Sequence, residues 1–186
     1  MTPAEFHERT RGIVTEERGI FPSELYLFAS ACLDAGVVSI VESGVCHGVS
    51  TRVLHALFPR HVSSVEKDKR VLPRRFPFKV VIGNGRVLVP QLVARVERAG
   101  LGPIGILLDG PKSERARAIK DRCVHEYPAV RVVGIHDHHP GLGFGETRHS
   151  WDVAFRTPEV CALDEDVPAV YHAAHPRGPG LALWTR

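Results

Sequence analysis

Acidic side chains recur in this chain at the points where short apolar runs end. Glu42, Glu66 and Asp109 each end or directly follow such a run, and His136 and Asp137 follow another. A carboxylate in this place can hold a sugar diol, ligate a divalent metal or take a proton from a substrate. If the runs are parallel strands, their carboxyl ends lie at the sheet edge where ligands bind. The pattern therefore predicts one site built from residues far apart in the chain.

The first of these ends opens a glycine-bearing turn. Residues 42–48 read Glu-Ser-Gly-Val-Cys-His-Gly and lie between an apolar run and a helical stretch. Glycines let the backbone turn sharply, and a helix N-terminus offers unpaired N–H groups to a ligand. We interpret the segment as the start of a nucleotide-binding α/β unit, in which Glu66 is placed to hold a ribose diol. The alternative is an ordinary strand–turn–helix with incidental glycines.

The spacing of these glycines differs from that of the dinucleotide fingerprint. That fingerprint is G-x-G-x-x-G, and its tight turn seats a pyrophosphate on the helix N-terminus. Here the pattern is E-x-G-x-x-x-G, from Glu42 through Gly44 to Gly48. A ligand without phosphates does not need the tighter turn.

Composition narrows the class of protein. The chain has 186 residues, 44% of them hydrophobic and 24% charged, and a formal net charge of +3. We expect one globular domain, 1–186, with 1–20 as an N-terminal arm or helix, and no nucleic-acid partner. No apolar run has transmembrane length, and the charged N-terminus lacks a signal-peptide core. Four separated cysteines without a C-x-x-C pair fit a reducing cytosol, so we expect a cytoplasmic protein without a membrane partner.

Apolar runs alternate with amphipathic stretches along most of the chain. This alternation predicts an α/β fold: a Rossmann-like, doubly wound, mostly parallel sheet of about seven strands that ends in a C-terminal antiparallel hairpin. A helix is expected to open at Pro22-Ser23, with Ser23 as N-cap and Glu24 in its first turn. The predicted strands are residues 37–41, 61–66, 78–82, 104–108, 130–135, 169–173 and 181–184, and the later helices are 50–58, 87–99 and 113–127.

Four segments, in order, resemble a known family. They are VESGVCHGVST, VSSVEKD, VVIGNGRVLVPQLV, and ILLDGPK followed by VVGIHDHHPG. The chain resembles class I S-adenosylmethionine-dependent methyltransferases, in particular the small catechol O-methyltransferase-like and natural-product O-methyltransferases. The resemblance covers residues 21–141. It implies an enzyme that methylates an oxygen of a small hydroxylated acceptor.

The resemblance also implies a cofactor site for S-adenosylmethionine. Glu42, Gly44 and Gly48 would shape the pocket for its methionine part, and Ser50 would lie near its carboxylate. Glu66 would accept hydrogen bonds from both ribose hydroxyls. The implied cofactor-binding set is Glu42, Gly44, Gly48, Ser50, Glu66, Asn84 and Asp109, with Asn84 at the adenine edge.

Catalysis and metal binding are implied at the later strand ends. Asp109 and Asp137 match two metal-binding acids of the family, and Lys112 matches a lysine that takes the proton from the substrate hydroxyl. The third metal position falls on His138, where an oxygen ligand is expected. Mg²⁺ prefers oxygen and imidazole suits other metals, so the identity of the divalent metal stays open. The catalytic candidates are therefore Lys112, Asp109 and His136; without a metal, His136 or His138 would be the general base.

Two other classes of protein remain open. A His/Asp metal-dependent hydrolase would use Asp109 and the histidines of residues 136–139, but would leave Glu66 unexplained. A non-catalytic binding module could keep the fold and the cofactor. The chain has little room for a substrate-covering insertion. The acceptor is then either enclosed by a partner subunit in a homo-oligomer or large enough to enter from solvent.

Overall fold

The computed structural model describes residues 1–13, 19–59, 61–112, 114–136, 152–153, 157–175 and 178–186. Its strands are β1 Ser39–Ser43, β2 Val62–Glu66, β3 Val80–Ile82, β4 Ile104–Leu108, β5 Val130–His136, β6 Asp152–Val153 and β7 Leu181–Thr185. Its helices are α1 Pro3–Arg9, α2 Pro22–Asp34, α3 Val49–Leu57, α4 Gly85–Arg98, α5 Glu114–Glu126, α6 Pro158–Cys161 and α7 Ala169–Ala174. Short 3₁₀ turns cover Lys69–Val71 and Ala162–Asp164.

The strands form one mixed sheet in the order β3-β2-β1-β4-β5-β7-β6. The strands from β1 to β5 are parallel, and β7 is antiparallel to both β5 and β6. Among the described residues, six strands have three residues or more, and β6 has two. All five residues of β4 are buried, as expected for a parallel strand covered on both faces. The predicted Rossmann-like, mostly parallel fold with an antiparallel C-terminal pair is confirmed.

The first strand of that C-terminal pair was predicted wrongly. Residues 169–173 belong to helix α7, and the partner of β7 is β6, with Asp152 opposite Leu183. A short apolar run does not distinguish a strand from a helix by periodicity. Here the helix buries Tyr171 edge-on against Phe21, with ring centroids 4.8 Å apart.

Helices cover both faces of the sheet. On one face, α2 and α3 pack Phe28 and Leu54 against a cluster that includes Leu107 of β4. On the other face, α4 and α5 pack Val93 and Ile119 in a cluster with Ile106 of β4, whose side chain points away from that of Leu107. None of the helices within the described ranges is long and apolar enough to cross a membrane.

The N-cap of helix α2 lies two residues before the predicted one. Phe21, not Ser23, is its N-cap, and the N–H of Phe21 donates to the Glu24 carboxylate at 3.2 Å. Ser23 instead donates its N–H and its hydroxyl to Asp164, at 2.9 and 2.6 Å. The acid three residues into the helix therefore replaces the serine as the capping group.

Candidate active site

A cleft of about 280 Å³ opens at the carboxyl edge of the sheet. It lies beside β1, which has β2 on one side and β4 on the other, so the chain direction of the crossovers reverses there. This topological switch point is the usual ligand site of doubly wound sheets. Three predicted cofactor residues line the cleft: Gly44, Glu66 and Asn84.

The Glu66 carboxylate holds the glycine loop in place. Its Oε2 accepts the N–H groups of Val45 and Cys46, both at 2.9 Å, and its Oε1 accepts the N–H of Asp68 at 3.0 Å. Each carboxylate oxygen has about two acceptor positions. Oε2 is therefore fully used within the protein, and Oε1 keeps one position for a ligand in the cleft.

Gly44 lies against the loop that follows β4. Its φ is +94°, and a Cβ at this position would lie 2.7 Å from the Gly110 nitrogen and 3.3 Å from Asp109 Cβ. The N–H groups of Asp109 and Gly110 both donate to the Ser43 carbonyl, at 2.8 and 2.9 Å. A glycine is needed here because the two ligand-bearing loops touch through their backbones.

Gly48 is the N-cap of α3 and is covered by an aromatic ring. Its φ is +80°, and a Cβ would lie 2.2 Å from Phe76. Phe76 was not singled out in the sequence, because nothing in its local pattern links it to a loop some 28 residues earlier. The ring therefore leaves no room for a side chain at the start of the helix.

Glu42 is fully buried and is bound by three hydroxyl groups. Ser50 donates to Oε1, and Thr51 and Ser64 donate to Oε2 at 2.6 and 2.7 Å. Burial raises the pKa of Glu42, although the three hydroxyl groups oppose that rise. The Ser50 hydroxyl is thus directed to Glu42, and the acid joins β1, β2 and the first turn of α3.

Asn84 is the N-cap of α4. Its side-chain oxygen accepts the N–H of Arg86 at 3.0 Å, and the residue is exposed on the cleft wall. The amide NH₂ group is not used in that bond. Asn84 can therefore cap the helix and still offer a donor to a ligand.

Asp109 meets two cationic side chains at the end of β4. Lys112 forms an ion pair with Oδ1 of Asp109, and Nε2 of His136 lies 3.7 Å from the same oxygen. The structure thus brings together the three residues that the sequence analysis named as catalytic. It places them beside the Gly44 loop, with the Asp109 side chain mostly covered.

Glu24 of helix α2 completes this group and was missed as a site residue. Its Oε1 lies 3.1 Å from His136 Nδ1 and also accepts the Gly180 N–H at 3.1 Å. Glu24 is 1% exposed and His136 3% exposed. No local sequence signal links the two residues, because they are 112 positions apart in the chain.

His136 is held as a cation by its neighbours. Burial by itself would lower its pKa, but the carboxylates of Asp109 and Glu24 outweigh burial and raise the pKa to about 9. The ring is therefore protonated at neutral pH and donates from its nitrogens. This charge state disfavours the general-base role expected of His136.

Of the three predicted metal ligands, the structure describes only Asp109. In the part of the chain that the structure describes, no group of three His, Cys, Asp or Glu side chains could hold a metal ion. Asp109 already faces two cations, which would repel a metal ion. The other predicted ligands, Asp137 and His138, lie outside the described residues.

Comparison with known proteins finds similar folds only among solved structures. No protein-family model matches the chain. No curated protein matches it in sequence. The chain is similar to MycE, a methyltransferase from the mycinamycin biosynthetic pathway solved with Mg, SAH and mycinamycin VI. The identity is 19% and the TM-score 0.44, over 74% of this chain and 39% of MycE. The chain therefore spans less than half of MycE.

Two further solved structures match over nearly the whole chain. One is a candidate caffeoyl-CoA O-methyltransferase from Staphylococcus aureus, at 14% identity and a TM-score of 0.44, covering 97% of this chain and 88% of that one. The other is a candidate O-methyltransferase from Klebsiella pneumoniae, at 11% and 0.45, covering 99% and 89%. At such identities and TM-scores, the similarity does not identify a ligand or a substrate for this chain.

Proposed function

We propose that this chain is a class I S-adenosylmethionine-dependent methyltransferase that acts on an oxygen of a small hydroxylated acceptor. The observation that carries the proposal is the Glu66 carboxylate, which lines the switch-point cleft with one acceptor position of Oε1 still open. A carboxylate at the end of the second strand is suited to a ribose hydroxyl. The loop from Glu42 to Gly48 is wider than the dinucleotide fingerprint, which favours an adenosine without a pyrophosphate.

The predicted cofactor residues take two different parts in this proposal. Glu66 and Asn84 contact the adenosine, since both line the cleft. Glu42 and Ser50 bind each other and position the first turn of α3, whose unpaired N–H groups favour the carboxylate of the cofactor. Gly44 and Gly48 allow the loop to lie directly against Gly110 and Phe76.

Methyl transfer needs an aligned acceptor oxygen and a place for its proton. The C–O bond forms as the sulfonium C–S bond breaks in line, so the donor leaves as neutral S-adenosylhomocysteine. The hydroxyl proton passes to the Asp109–Lys112 pair beside the Gly44 loop. Nε2 of His136 lies 3.7 Å from the same carboxylate and helps to hold it beside the Gly44 loop. No step requires a metal.

Calorimetric titration with S-adenosylhomocysteine, in excess chelator, is the first test. We expect binding at one site per chain, and no competition from NADH, whose pyrophosphate requires the tighter loop of the dinucleotide fingerprint. The second test follows S-adenosylhomocysteine release in the presence of a panel of catechols, phenols and sugars. Binding with transfer supports the enzyme, binding with no transfer to any acceptor favours the binding module, and absence of binding refutes the proposal.

A further inference from the structure

The carboxylate of Glu24 lies at the junction of three elements behind the candidate active site. Its Oε2 accepts the N–H of Phe21 at the start of α2, and its Oε1 accepts the N–H of Gly180 just before β7. The third contact of this carboxylate is His136 at the end of β5. All three partners lie within 3.2 Å, and the carboxylate is 1% exposed.

The contact with Glu24 determines which nitrogen of the His136 ring faces Asp109. The Glu24 carboxylate accepts the N–H groups of Phe21 and Gly180, so in its third contact it is also the acceptor and Nδ1 of His136 is the donor. The opposite nitrogen, Nε2, then faces Asp109 Oδ1 at 3.7 Å. The ring cannot flip without losing one of these two contacts, and the side chains of His136 and Glu24 are both buried.

We propose that Glu24 is a positioning residue for methyl transfer, which holds His136 so that its Nε2 keeps Asp109 in place beside the glycine loop. The inference rests on the proposed methyltransferase function. Glu24 does not contact the ligand, because it is separated from Asp109 by the His136 ring. Its effect is thus on the rate of transfer and not on the affinity for the cofactor.

Two variants separate this role from a structural one. Glu24→Gln keeps an oxygen that can accept the Phe21 N–H, since Gln also serves in a capping box. It replaces the other oxygen with an NH₂ group, which cannot accept from His136 Nδ1 or from Gly180. Ser23→Ala is the matched control: it is buried in the same helical turn and bonds Asp164, with no contact to His136.

The experiment compares the full-length proteins by three readouts. These are S-adenosylhomocysteine affinity, the transfer rate to the best acceptor of the panel, and the ¹⁵N-resolved Nδ1–H resonance of His136. For Glu24→Gln we expect at least about a tenfold lower kcat, an affinity within about twofold, and loss of that resonance. For Ser23→Ala we expect the wild-type kcat and resonance, whatever its effect on melting temperature.

Each outcome decides between the two proposals. If Glu24→Gln keeps the wild-type kcat, or loses cofactor affinity by the same factor as rate, the positioning role is overturned. An Nδ1–H resonance that persists in Glu24→Gln overturns it as well. If the wild-type protein transfers no methyl group, the methyltransferase proposal and the effect of Glu24 on transfer both fail. The Nδ1–H resonance alone then decides whether Glu24 holds the ring.

Discussion

Glu66 Oε2 accepts the N–H of Cys46 at 2.9 Å, and Cys46 has a φ of +50°. A non-glycine residue in this left-handed conformation is strained by about 1–2 kcal/mol. The carboxylate at the end of β2 therefore stabilises a strained loop after β1 in addition to lining the cleft. Removal of Glu66 should alter both the ligand contact and the shape of the loop.

We expect Glu66→Ala to weaken S-adenosylhomocysteine binding at least tenfold, since charge-assisted hydrogen bonds contribute about 1.5–3 kcal/mol each. It should also lower the free energy of unfolding by about 1–3 kcal/mol, because three N–H groups lose their acceptor. The protein should still fold. Calorimetry and chemical denaturation measure the two effects. Asp68→Ala is the control, since Asp68 does not line the cleft; equal affinities in wild type and Glu66→Ala would remove Glu66 from the site.

Gly44 can be tested against a glycine of the same conformation. Gly12 has a φ of +83° with nothing within 4 Å of an added Cβ, whereas a Cβ on Gly44 would meet the Gly110 nitrogen at 2.7 Å. Gly12→Ala should cost only the backbone strain, about 1 kcal/mol. Gly44→Ala should cost at least about 2 kcal/mol and abolish cofactor binding, because it separates the loops after β1 and β4. Equal losses of stability, with binding retained by Gly44→Ala, would contradict the contact.

The charge of His136 makes stability depend on pH. Its pKa in the folded protein is raised to about 9, above the value of about 6.5 for an unfolded histidine. The folded state thus binds this proton more tightly, and the stabilisation is fully present below about pH 6.5 and lost as pH rises to 9. In chelator, the free energy of unfolding of the wild-type protein should fall by up to about 3 kcal/mol across this pH window. His136→Gln should lose much less, and parallel curves for the two proteins would refute the shift.

One transfer assay tests both the role of Lys112 and the dependence of the reaction on a metal. Lys112→Ala should lower kcat by about 10²–10⁴, the usual contribution of a general acid or base, with cofactor affinity within about twofold. Lys79→Ala is the control, since Lys79 is exposed before β3 and does not line the cleft. Transfer should continue in excess chelator. Transfer that vanishes with chelator and returns with Mg²⁺ would instead contradict the metal-free mechanism.

Much of the fold could be predicted because strands buried on both faces have continuous apolar sequences. The predicted strand 104–108 coincides with β4, and the predicted acid at the end of β2 is Glu66. Helix α7 could not be predicted in this way, because its stability comes from the packing of Tyr171 on Phe21, some 150 positions away. The predicted metal set stays a prediction, since only Asp109 lies in the described residues.

Local apolar patterns and turn residues are enough to predict which side chains lie at the carboxyl edge of the sheet, because they mark where strands end. The contacts that those side chains make there depend on tertiary packing. It directs Glu66 Oε2 to the loop, gives the Ser50 hydroxyl to Glu42, and places Glu24 on His136. These partners come together only when α2 and α3 pack on the sheet, and local sequence carries no record of that packing.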